Sequence, residues 1–132
     1  MVDILVPTAP GELIDKLTIL QLKAEKITDP VKLGNVRHEQ AALQRTADAA
    51  LPPGPALTAL CEQLYQINAA LWVIEDDIRE CESRADFGPE FIRLARAVYV
   101  TNDSRAAVKK QINLLLGSAI IEEKSYHDHG LN

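Results

Sequence analysis

The apolar positions of this chain recur at steps of three and four residues over most of its length, the pattern of helices that bury one face. Leu13, Leu17, Leu20, Ala24 and Ile27 mark the first, with Pro10 and Glu12 in its opening turn and Thr8 placed to cap it. Asp29-Pro30 ends that helix and opens a second, whose stripe is Leu33, Val36, Gln40, Leu43, Ala47 and Ala50. Three prolines within Leu51-Pro52-Pro53-Gly54-Pro55 then stop it, because proline lacks the amide a helix interior needs. The third stripe is the longest: Leu57, Leu60, Leu64, Ile67, Leu71, Ile74, Ile78 and Cys81 follow without one polar interruption. Two stripes flanking a tight break predict an antiparallel hairpin of the second and third helices, since each seam needs an apolar partner and its sequence neighbour is nearest.

A fourth stretch starts at Phe87-Gly88-Pro89-Glu90 and buries Phe91, Leu94, Ala95 and Val98. The same step then meets Thr101 and Arg105 before returning to Val108, Ile112 and Leu115. Either the helix breaks at Thr101-Asn102-Asp103-Ser104, all good capping residues, or it runs through and carries a buried polar layer. Gly117 ends it. Val2 to Val6 alternates and is rich in β-branched residues, so it reads as a short strand. Ala119-Ile120-Ile121 is its candidate partner, in the same chain or in another. The expected fold is all-α, one domain over residues 1–132. Four to five helices surround the hairpin, and a minor two-stranded β element joins the termini. The third stripe is longer than the second helix can cover, which predicts a homodimer.

Composition narrows the function classes. The chain has 132 residues, 47% apolar and 25% charged, the balance of one globular domain; with 5% aromatic residues, its core must be aliphatic. A net charge of −5 with no basic tail argues against nucleic acid as a partner. The apolar run Ala69–Ile74 is far too short to insert in a membrane, and no basic-then-apolar leader opens the sequence, so a cytoplasmic location is expected. Cys61 and Cys81 fall on one helix roughly 30 Å apart, too far to pair, and read as buried thiols of a reducing compartment.

No phosphate-cradling glycine loop, nucleophile elbow, paired-cysteine zinc spacing or metalloprotease helix is present. Candidate chemistry is confined to three charged clusters. In the first, Glu75-Asp76-Asp77 lies beside the third stripe. Glu75 is one turn from Arg79, the spacing of a surface ion pair, while Glu75 with Asp76 is the candidate Mg²⁺ site. The second contains Arg96, Asn102, Arg105 and Lys109. If Asn102 opened a helix, its free amides beside these cations would suit phosphate or carboxylate. The competing reading pairs Arg105 and Asp103 with acids of the third helix and fixes the register of the bundle. The third is Glu122-Glu123-Lys124-Ser125-Tyr126, with His127 and His129 beyond it as a weak metal pair.

Taken together, Gly11–Leu20, Leu71–Arg79, Phe91–Tyr99, Asn102–Ala106 and Glu122–Tyr126 resemble a small bacterial family catalogued only as a domain of unknown function. The resemblance covers nearly the whole chain and implies no activity, but its motifs coincide with the three charged clusters. The leading expectation is a non-catalytic cytoplasmic binding or assembly protein acting through helical surfaces. The alternative is an enzyme or sensor for a small phosphorylated or anionic metabolite, with Mg²⁺ as its cofactor. Charges that pair off along helix interfaces favour the first; charges that converge on a pocket favour the second.

Overall fold

In the computed structural model, which describes residues 2–127, the chain forms four helices: α1 (Pro10–Lys26), α2 (Pro30–Ala50), α3 (Pro55–Ser83) and α4 (Pro89–Leu115). Each opens on proline, whose missing amide costs nothing in a first turn. Asp29 caps α2 by accepting the Lys32 N–H at 2.9 Å. Thr8 does not cap α1; the cap position is Ala9, with no side-chain bond. Of the two readings of the fourth stretch the continuous one holds, since Thr101 to Arg105 lie inside α4. No helix among the described residues is long and apolar enough to cross a membrane.

The helices pair differently from the hairpin expected around the proline corner. α3 lies mainly against α4, α2 lies against α1 alone, and α1 bridges to both α3 and α4. The reason lies in length and polarity. A 29-residue α3 finds in the 27-residue α4 a partner of its own span, while α2 has 21 residues and carries Gln40 in mid-stripe. Residues 51–54 therefore hold α2 and α3 apart. The core gathers where α1, α3 and α4 meet, on Ile14, Leu64, Val108 and Ile112. α2 contributes only Val36 and Ala47 as fully buried positions.

The two-stranded element does not form. Among the described residues there is no strand, and Val2, Ile4, Leu5 and Val6 stand 69–93% exposed in an extended segment. A lone pair of short strands is marginal in water, and no third strand or covering helix supports it here. α1 bonds α3 from Tyr65 to Asn68 and reaches it again through the Lys26 cation over the Trp72 ring, 5.9 Å from its centre. It bonds α4 at Arg105, Lys109 and Asn113. Beyond those points the ends of α3 and α4 next to their connecting turn continue as a two-helix arm.

Candidate functional site: a buried polar layer and the cleft beside it

The interruption in the α4 stripe is where three helices exchange polar side chains. Asp15 of α1 is 1% exposed. Its Oδ1 accepts from Asn68 Nδ2 at 2.9 Å and from Arg105 Nε at 2.8 Å, and its Oδ2 accepts from Arg105 Nη2. Thr18 completes the layer: its hydroxyl donates to the Asp15 carbonyl and accepts from Asn68 Nδ2, both at 2.8 Å. Arg105 Nη1 also reaches Asn102 Oδ1, at 3.4 Å. Burial alone would push the Asp15 carboxyl up. The hydrogen bonds from Arg105 and Asn68, with the charges of Arg105 and Lys109, outweigh it and hold the pKa below the ordinary value. The bond to Asp15 raises Arg105 in turn. No buried side-chain nitrogen or oxygen among the described residues lacks a partner, so the layer is closed on itself.

One turn further along α4, Lys109 pairs with Glu12 of α1 at 2.7 Å and faces Glu122 at 3.9 Å. Here α1 and α4 touch backbone to backbone. The Gly11 N–H donates to Asn113 Oδ1 at 2.7 Å, and a Cβ on Gly11 would sit 2.4 Å from the Lys109 carbonyl oxygen. Only glycine allows that approach. The segment after Gly117 lies over this junction, with Glu123 at 3.8 Å from Lys110. Beneath it is a cleft of about 400 Å³, whose walls include Glu12, Lys109, Lys110, Asn113 and Tyr126. A second cavity, about 480 Å³, occupies the gap between α1, the end of α2 and the start of α3.

The four expected anion ligands are thus divided. Arg105 and Asn102 are committed to the polar layer, and the acid that Arg105 meets comes from α1, not from α3. Lys109 borders the cleft. Arg96 is exposed thirteen residues before Lys109, about 20 Å away along the helix axis. Free amides at Asn102 do not exist, because it lies in the middle of a helix whose ladder uses them. Of the expected metal pair, Glu75 is hydrogen-bonded to Arg79 and Asp76 is exposed. Among the described residues no group of three or more His, Cys, Asp or Glu gathers as a metal would need. His127 lines the cleft, while His129 lies outside the described residues. Both cysteines are free, and burial pushes the Cys61 thiol up.

Asp15, Thr18 and Asn68 were not among the expected site residues. Their signal was present: Gly11, Asp15, Thr18 and Leu22 share one helix face, and all four are buried. The leucine pattern of α1 pointed to a neighbouring face and masked it.

The sequence model of one family, described as a family of unknown function, DUF6165, matches residues 4–129. No curated protein and no solved structure matches the chain.

Proposed function

The chain belongs to DUF6165, a family of unknown function, and from that premise we propose a non-catalytic binding or assembly protein of the bacterial cytoplasm, whose helical surfaces join two copies as a homodimer. What supports this is how the charges are spent. Arg105 goes to Asp15 and Lys109 to Glu12 between helices; Arg79, Arg84 and Arg93 go to Glu75, Glu80 and Glu90 within them. Of the expected anion ligands, Arg105 and Lys109 are thereby engaged with carboxylates, whereas apolar surface is left over.

The single observation that carries the proposal is the α3–α4 arm. It fully buries Cys81 and Leu94, yet Val73, Phe87 and Ile92 are 52–55% exposed, and Leu71, Ile74 and Ile78 are only half-buried. A two-helix layer leaves one side of its seam open, and pairing two such hairpins into a four-helix bundle is the usual closure. The arm also complements itself. Residues 74–84 of α3 and its cap carry five carboxylates against two arginines, and residues 89–101 of α4 carry two arginines against one carboxylate. A two-fold axis that sets α3 of one copy on α4 of the other joins opposite charges.

Sedimentation velocity at about 10–100 µM tests this, where a dimer is expected. Val73→Glu with Ile92→Glu is expected to leave the helical circular dichroism intact and return the monomer. A wild-type monomer throughout that range would sink the proposal. A second reading, a sensor or enzyme for a small anionic metabolite, draws support from the cleft at Lys109. It predicts a rise in melting temperature with millimolar phosphate that Lys109→Met abolishes.

A further inference from the structure

Two apolar features on different sides of α1 lie open. One is the segment before it, where Val2, Ile4 and Val6 alternate onto one edge of an extended chain and are all strongly exposed. The other is the gap left where α2 and α3 fail to meet, walled by Ile14, Leu17, Ala47, Leu51, Leu57 and Cys61. Its volume, about 480 Å³, is of the size that built ligand pockets have and far above the voids a packed core leaves. Leu17, Leu51, Leu57 and Cys61 are each only half-buried there. At its edge stand Gln21 and Gln40, whose amides can serve the unpaired N–H and C=O groups of an extended backbone.

We infer that this groove is a docking site for a peptide strand, and that its occupant is the Val2–Val6 segment of a second copy. The choice of the second copy rests on where the segment leaves its own helix. Gly11, Glu12 and Asp15 face α4, and Gly11 is pinned there through Asn113; Leu17 and Gln21 face the groove, with Ile14 and Thr18 between the two faces. At 100° per residue the two sets lie well over a right angle apart. To fill its own groove the segment would have to double back around α1 through Pro7 and Pro10, whose fixed backbone angles oppose a tight reversal. A neighbour related by a two-fold axis along the arms brings its segment to the same end of the molecule without any reversal. The exchange is reciprocal: each copy lends a strap and receives one. The β-branched edge enters the apolar floor, which gives the groove a preference for alternating aliphatic residues.

This inference rests on self-association as proposed above, and native Cys61 in the groove wall allows the two to be separated. Ile4→Cys is treated with a short bismaleimide in the otherwise intact chain, with Ile4→Cys/Cys61→Ser alongside; Cys81, 2% exposed, serves as the silent thiol. A covalent dimer joined through residues 4 and 61, identified by peptide mass spectrometry and lost in the Cys61→Ser partner, is the expected result. A link within one chain would overturn the exchange, and so would a dimer that survives Cys61→Ser through residue 4 alone. If no link forms while wild type still sediments as a dimer, the strap is wrong and self-association stands. If wild type sediments as a monomer, both fall.

Discussion

Among the described residues Asp15 is the one carboxylate that is fully buried, and its environment decides what it does. Every partner it has is a donor, so the charged form is the one the fold holds. A carboxyl whose pKa is lowered on folding adds stability at pH values above its unfolded pKa, near 4, and that stability is lost as pH falls through the folded value. Asp15→Asn is therefore expected to cost about 3 kcal/mol at neutral pH, because it leaves Arg105 half-buried against a neutral amide. The gap from wild type should narrow as pH falls below about 4, where the unfolded chain takes up a proton that the folded carboxyl still resists. Urea unfolding at pH 7 and pH 3 checks both halves; an equal gap at the two pH values would show that the charge is immaterial. This site was half legible in the sequence. Thr101 and Arg105 announce a polar layer by breaking a stripe that is otherwise aliphatic. Asp15 is announced only by the weaker face it shares with Gly11, Thr18 and Leu22, because a carboxylate beside a leucine row reads as solvent-facing until α4 is known to cover it.

At the scale of elements, one C-terminal motif is built twice with different residues. α4 ends with Ser118 N–H on the Asn113 carbonyl and Gly117 N–H on that of Leu114, and Gly117 has φ +65°. α3 ends with the same pair of bonds, Asp86 to Cys81 and Ala85 to Glu82, but the left-handed residue is Ala85 at φ 52°. A Cβ is unfavourable in that conformation, and glycine is freer there. Ala85→Gly is expected to stabilise the chain by about 0.5–1 kcal/mol, after allowing for the greater entropy of glycine when unfolded. Thermal melting at fixed protein concentration measures it, and a loss of stability would contradict the assignment of strain. Helix starts were legible because all four carry proline; the pairing of helices was not. Stripes give the face of each helix, not its mate. The choice between α2 and α4 as the partner of α3 turned on matched length and on Gln40, which sequence proximity outweighed.

For the whole molecule, the core is gathered where α1, α3 and α4 meet, and apolar side chains stand exposed both on the arm and on the segments that flank the core. Beside the core a single residue does two jobs. The Asn113 amide oxygen holds the first turn of α1, and its backbone carbonyl closes the last turn of α4. The entrance and exit of the helical body are thus fastened at one rivet, so the order in which the helices are threaded matters little to their assembly. A circular permutant that splices Ser118 to Ala9 through a short linker and opens at Asp86 should still melt cooperatively, within a few degrees of the parent, by roughly the tolerance expected when chain ends lie close together.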